Sequence, residues 1–357
     1  MKTDLDLAII GGGILGVCAA WYARKQYPDW NIGLFDQSKI GGGATFYSAS
    51  LDLPYGHTPL RYQLAKRSRE LFLALRKELP DLPIKDLPFY GIVHREHAQL
   101  VMDQLTDPNV ALTPEIIPIL HNKFPLLLLP KDATVISGGT ANQGITNEVV
   151  NVLTKNLAGN PDTVILENTK VVSVTPREEI CDLQTSRGEI FHSKRVINAT
   201  GPWCNEGLGA SLLTTQNIRV KKIVAFHIYQ QPRPNDPVFY FFDDDAFLMP
   251  KYEAGYWLFS FKCDHWDVSP DINTLSIDEG DIQKARGILH KYYPQFALLC
   301  KEGRVFCDAY TANSDPVIGQ AGPYMNYVFA GAGAGSGYRL APAIAEAALK
   351  HFKKKKF

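Results

Sequence analysis

Leu5-Asp6-Leu7-Ala8-Ile9-Ile10 runs directly into Gly11-Gly12-Gly13-Ile14-Leu15-Gly16. A short strand that becomes wholly apolar therefore feeds a turn with Gly11, Gly13 and Gly16 in G-x-G-x-x-G spacing. The first glycine permits a tight turn, the second lets a pyrophosphate approach the backbone, and the third lets the following helix pack close. A helix predicted over 14–24 points its N-terminus, with free N–H groups and a positive dipole end, at that pyrophosphate. A second strand over 31–35 ends at Asp36, twenty residues past Gly16. An acid at that distance accepts hydrogen bonds from an adenosine ribose, with Gln37 beside it. Strand, triplet, helix, strand and terminal acid together predict a Rossmann-like dinucleotide site.

The rest of the chain narrows the class. Lys+Arg and Asp+Glu both number 37 among 357 residues, so no overall charge steers the protein to nucleic acid or lipid. The leucine run Leu126–Leu129 is closed by Pro125 and Pro130, and the longest unbroken apolar run, Val17–Ala23, is seven residues, far short of the roughly 20 a transmembrane helix needs. Asp4 and Asp6 interrupt the first apolar stretch, so no secretory signal is expected and a cytoplasmic location is. The six cysteines include no C-x-x-C pair, which argues against zinc and dithiol chemistry. No metal is expected. Asp243-Asp244-Asp245 reads as a solvated turn, and Lys353–Lys356 as a solvated end.

Other segments bear on which dinucleotide binds. The second strand runs into another glycine cluster, Gly41-Gly42-Gly43-Ala44-Thr45, suggesting backbone contact with a ligand longer than a dinucleotide head. A helix follows, with Thr58 as N-cap, Pro59 at its first position and a leucine stripe from Leu64 to Leu79. Arg195-Val196-Ile197-Asn198-Ala199-Thr200-Gly201-Pro202-Trp203 reads as a buried strand and small-residue turn. Near the C-terminus a strand over 327–330 leads through Gly331–Gly337 into a helix beginning around Leu340. A helix dipole placed there would stabilise negative charge on a reduced flavin. FAD is favoured over NAD.

With these segments in their order, the chain resembles the D-amino-acid oxidase family of FAD proteins, which includes glycine oxidase and monomeric sarcosine oxidase. The resemblance rests on the I-I-G-G-G-I-L-G run, Gly42–Thr45, V-I-N-A-T-G-P-W, Asp315–Gly319 and Gly335–Pro342. It implies an α/β fold in which a Rossmann-like FAD-binding domain (1–80, 135–212 and 311–357) is interleaved with a smaller α+β substrate domain (81–134 and 213–310). The substrate domain would be built on an antiparallel sheet, with strands over 220–229, 238–242, 247–249 and 256–261. FAD contacts would come from Gly11, Gly13, Ile14, Leu15, Gly16, Asp36, Gln37, Gly43, Ala44, Thr45, Val172, Thr200, Gly201, Trp203 and the Gly335-Ser336-Gly337-Tyr338-Arg339 run. Val172 would lie in a strand holding the adenine edge.

The activity so implied is oxidation of the C–N bond of an amino acid, N-alkyl amino acid or cyclic amine, with hydride transfer to flavin N5. Oxygen or another electron acceptor then restores FAD. A C–O dehydrogenase passing electrons to a quinone or partner, and a flavin-binding subunit of a larger complex, are the alternatives. Such chemistry needs an anchor and pocket walls rather than a triad. Arg339 stands where sarcosine oxidase has a carboxylate-binding lysine. Asp308 stands near where glycine oxidases place an arginine, and could hold an ammonium instead. Tyr240 and Trp257 are wall candidates, with strand alternation placing Trp257, Phe259 and Phe261 on one face, either at the flavin or in an aromatic core. His57 is a loop candidate. Covalent sarcosine oxidases link flavin to a cysteine in C-x-Y-T; here Cys307-Asp308-Ala309-Tyr310-Thr311 is one residue longer, so FAD is expected to be held non-covalently.

Overall fold

Strand-forming apolar runs pair with partners from distant parts of the chain. In the computed structural model, which describes residues 3–205, 208 and 216–352, a six-stranded sheet takes the order Val317–Gln320, Tyr327–Gly331, Val196–Asn198, Leu7–Ile10, Ile32–Phe35, Thr163–Leu166. All pairs are parallel except the edge pair of Val317–Gln320 with Tyr327–Gly331. Such strands are apolar throughout because both faces are covered, and Leu7, Ala8, Ile9 and Ile10 are all buried. Connections leave Leu7–Ile10 in opposite directions along the sheet, which opens a crevice at the strand ends. The helices Ile14–Gln26, Thr146–Ala158 and Gly337–His351 cover one face through a shared apolar cluster.

The first glycine turn fixes how these layers meet. Gly11 has φ +107°, and a Cβ there would lie 2.4 Å from the Ala199 carbonyl oxygen. A Cβ on Gly16 would lie 1.8 Å from the Gly11 carbonyl oxygen. Any side chain at Gly16 therefore lifts the helix off the loop. A small four-stranded sheet, Asp4–Leu5, Ile190–Ser193, Cys181–Thr185 and Val171–Pro176, flanks this unit.

The second unit is a larger sheet ordered Gly303–Tyr310, Arg219–Ile228, Tyr256–Phe261, Ala246–Lys251, Val238–Phe241, Ile84–His94, Ala133–Ser137, Ala111–Leu112. It is mixed rather than purely antiparallel, since Val238–Phe241 runs parallel to Ile84–His94. These strands come from separate passes of the chain, and parallel pairing needs such a long connection. The sheet also reaches past residue 134: Ala133–Ser137 spans that position, and Thr140–Gly144 pairs with Ile84–His94. The helices Glu279–Tyr292 and Pro294–Leu299 pack on one face, against Trp257, Phe259 and Phe261. Among the described residues no helix is long and apolar enough to cross a membrane. The lysine run 353–356 lies outside the described residues.

The two units are tied together at the loop Ser48–Ala49. Lys251 Nζ donates to the Ala49 carbonyl at 2.9 Å, and Arg304 Nη2 donates to the Ser48 carbonyl at 3.1 Å. Burial, and then the charge of Arg304, pushes Lys251 from 10.5 down to about 7. Burial, then Arg304 and Lys251, pushes His227 from 6.5 down to about 4. Within each of these windows the unfolded chain binds more protons than the folded one, so stability rises with pH. The melting temperature is expected to climb as pH rises from about 4 to 6.5, and again from about 7 towards 10.5. Lys251→Met should flatten the upper climb, and an unchanged slope in calorimetry would contradict this origin.

Candidate active site

The loops at the ends of the parallel strands meet the inner face of the larger sheet around one cavity of about 980 Å³. That lies at the upper end for small-molecule sites, with room for a large cofactor and a small substrate. Gly11, Gly13, Ile14, Leu15, Asp36, Gln37, Gly43, Ala44, Thr45, Thr200, Gly201 and Trp203 all line it, as does the whole Gly335–Arg339 run.

Local geometry explains the first group. Asp36 Oδ2 accepts from the Gly12 N–H at 2.7 Å, and Oδ1 accepts from the Ser38 N–H at 2.8 Å. Burial pushes the Asp36 carboxyl up, while the Ser38 and Gly12 bonds pull it back. Thr45 Oγ1 accepts from the Ile14 N–H at 2.9 Å, so the second glycine cluster is pinned to the first helix. The N–H groups of Gly13 and Leu15 find no protein acceptor among the described residues. These half-buried donors face the cavity, and a pyrophosphate at a helix N-terminus supplies acceptors for such groups. These residues fit the FAD diphosphate.

Two expected contacts fall elsewhere. Gly16 lies under the helix, against Gly11, rather than on the cavity wall. Val172 is 40% exposed and off the cavity, while Thr169, Lys170 and Val171 line it. The strand begins at Val171, so its alternation turns Val172 outward.

The C-terminal glycine loop carries the second group. Ala332, Ala334 and Gly335 all have positive φ, at 55°, 50° and 74°, a tightly coiled path that non-glycine residues rarely take. The final helix starts at Gly337, three residues earlier than the sequence reading, with Ser336 as N-cap. The Ser336 hydroxyl caps no helix N–H. It accepts instead from Arg339 Nη2 at 2.6 Å and from Arg61 Nη2 at 2.5 Å.

Arg61 is the residue that sequence reading missed. It is 2% exposed, and Arg339 8%. Its Nη1 donates to the Ser314 carbonyl. Neither guanidinium forms an ion pair among the described residues, and the Nε of each lacks a partner. Burial, and then the like charge of Arg339, pushes Arg61 down to about 10. The Thr58 hydroxyl accepts from the Arg61 N–H at 3.1 Å, which sets Arg61 in the first helical turn but does not tell which way its side chain faces.

The other candidates divide. Tyr240 and His57 line the cavity, and burial with Arg61 and Arg339 pushes His57 down, favouring a neutral ring. Asp308 lines it too, but its oxygens accept from the Ala309 and Gly335 N–H groups, each at 2.8 Å. It holds the glycine loop in place. Trp257 is not at the site. It is 5% exposed and packs on Phe296 with ring centroids 5.9 Å apart. Of the expected face, Trp257 and Phe259 meet helices while Phe261 lines the cavity, as does Ser260 of the opposite face. Cys307 is buried and lines the cavity. At the edge of the larger sheet Cys263, His265 and Asp281 lie within 4.8 Å of one another. The Lys222 ammonium already stands among them, donating to Asp281 at 2.6 Å and Asp278 at 2.9 Å.

A family model described as DAO, FAD dependent oxidoreductase, matches residues 6–350. Monomeric sarcosine oxidase from Arthrobacter sp. (strain TE1826) is 21% identical over 374 residues, covering 97% of this chain and 92% of that protein. The glycine oxidase structure from Geobacillus kaustophilus superposes with a TM-score of 0.81 at 18% identity, over 100% of this chain and 96% of that one. The L-proline dehydrogenase structure from P. horikoshii gives 0.82 at 20% identity, with the same coverage. At these identities the superpositions show a shared fold.

Two outcomes are expected of the cofactor site. Asp36→Ala should weaken FAD binding by about 1.5–3 kcal/mol, the scale of hydrogen bonds to a charged group, measured by titrating apoprotein with FAD. Acid precipitation should release all the yellow colour, because the run around Cys307 departs from the covalent pattern; a protein mass raised by one flavin would show a Cys307 link.

Proposed function

Because the chain belongs to the DAO family of FAD-dependent oxidoreductases, we propose that it oxidises the C–N bond of a small amine that carries a carboxylate. The observation that carries this reading is the convergence of Arg61 and Arg339 on the Ser336 hydroxyl without a counter-ion. Two buried like charges are costly, and an anion lying across both relieves that cost. A carboxylate suits the planar donor forks of two arginines. The glycine oxidase and sarcosine oxidase likenesses support an amine substrate.

Bound FAD would supply the two-electron acceptor, taking a hydride at N5. The protein's part is placement. Arg61 and Arg339 hold the carboxylate, and Ser336 fixes both side chains. The N-terminus of the helix Gly337–His351 faces the cavity and favours negative charge there. A neutral His57 adds no positive charge against the substrate amine. The aromatic rings of Tyr55, Tyr240, Phe242 and Phe247 wall the cavity and exclude water. Oxygen is the proposed acceptor, and the cytoplasm the proposed location. All six cysteines are buried and none is in a disulfide, which fits a reducing compartment.

Arg339→Met should leave the spectrum of bound FAD nearly unchanged but slow anaerobic flavin reduction. A loss of about 2–5 kcal/mol is the scale for truncating one partner of a buried charge pair. Arg61→Lys, which keeps the charge and loses the fork, should slow it less. Stopped-flow reduction with a panel of amino acids and N-alkyl amino acids measures both. Unchanged rates in the Arg339 variant would remove the carboxylate from the proposal. Peroxide release with the best substrate, against dye reduction under nitrogen, decides the acceptor.

A further inference from the structure

The three carboxylates of Asp243-Asp244-Asp245 do not share one fate. Asp243 accepts from the His94 N–H at 2.7 Å and meets His97 Nδ1 at 2.6 Å. Asp244 takes Lys291 Nζ at 2.5 Å and the Tyr292 hydroxyl at 2.8 Å. Neither lines the cavity. Asp245 does. It ends the short turn Phe242–Asp244 in the left-handed region, with φ 43° and ψ 53°, which turns its side chain away from those of its neighbours.

Its carboxylate accepts from the Tyr240 hydroxyl at 2.6 Å and forms no ion pair among the described residues. The nearby Lys221 ammonium, which feels the charge of Asp245, makes no ion pair with it and rests 4.1 Å from the centre of the Tyr310 ring and 5.0 Å from Trp266. Around Asp245 stands a cluster of aromatic rings that all line the same cavity. Tyr240 and Phe242 are 4.7 Å apart, Tyr55 and Phe242 5.2 Å, and Tyr240 and Phe247 6.3 Å with nearly parallel planes. A carboxylate among aromatic faces attracts a cation both by its charge and by the ring quadrupoles, and repels an anion.

Tyr55 and His57 feel the charge of Asp245 and also that of both Arg61 and Arg339. Asp245, Arg61 and Arg339 thus line one cavity, which carries charge of both signs on its wall.

We propose that Asp245, with Tyr55, Tyr240, Phe242 and Phe247, forms an ammonium subsite, so that the substrate is an amino acid with a second, cationic amino group at the end opposite its carboxylate. This rests on the reading that Arg61 and Arg339 hold the carboxylate. It adds that side-chain charge, rather than apolar bulk, selects the substrate.

Two probes of equal chain length isolate the subsite: pentanoate, and 5-aminopentanoate with its terminal ammonium. Binding of each to the oxidised FAD-loaded protein is read from the perturbed flavin absorbance at neutral pH. The native protein is expected to bind 5-aminopentanoate about tenfold more tightly, the scale of one cation–π and ion contact. Asp245→Asn keeps an acceptor for the Tyr240 hydroxyl and a residue that tolerates left-handed backbone. It should cut that preference several-fold, leaving the weaker pull of the rings, with little change in pentanoate affinity. Failure of 5-aminopentanoate to bind better than pentanoate, or a preference undiminished in Asp245→Asn, overturns the subsite. Arg339→Met separates the underlying reading: it should weaken both probes alike, and if it weakens neither, the carboxylate site fails on its own account.

Discussion

The first helix rests on the backbone of the loop from which it springs. Gly16 touches the Gly11 carbonyl with no space for a side chain, and Gly11 in turn sits against the Ala199 carbonyl. This contact sets the height of the helix above the sheet. It thereby sets where its free N–H groups point, and every later element is placed against it. Thr45 reaches the Ile14 N–H, and Asp36 reaches the Gly12 N–H. Three separate passes of the chain are thus registered on one turn.

At the opposite end of the cavity the controlling force is electrostatic. The loop Gly331–Ser336 is held by Asp308 through the Gly335 N–H, and it presents Ser336 to two arginines from different helices. Like charges brought together in a low-dielectric site are unfavourable until an anion arrives. Folding energy gained in the apolar clusters offsets this cost.

The parts legible in the sequence were those fixed by local rules. The Gly11–Gly16 turn and the Thr58 cap each depend on a handful of neighbouring residues, and the structure has both in that form. Arg339 could be named because a glycine loop announces it. Arg61 could not, since an arginine in a helix of mixed charge gives no sign of facing inward. Trp257 was misplaced because alternation states that two faces exist, not which one meets helices. Asp245 was hidden inside a run of acids. Only the left-handed turn that separates it from Asp243 and Asp244 gives it a different role.

The order of strands in the parallel sheet has a consequence for biosynthesis. Leu7–Ile10 is made long before Val196–Asn198, with which it pairs, and before Tyr327–Gly331, which pairs with that strand in turn. The helix bearing Arg339 is later still. A chain emerging from the ribosome can form the first glycine turn early, but it holds an unpaired strand flank until these later strands have been made. Long-range pairing of this kind is slow and leaves hydrophobic surface open meanwhile. The flavin can be gripped at its phosphate end long before its ring has a pocket. Nascent chains should therefore depend on chaperones to reach the native sheet order.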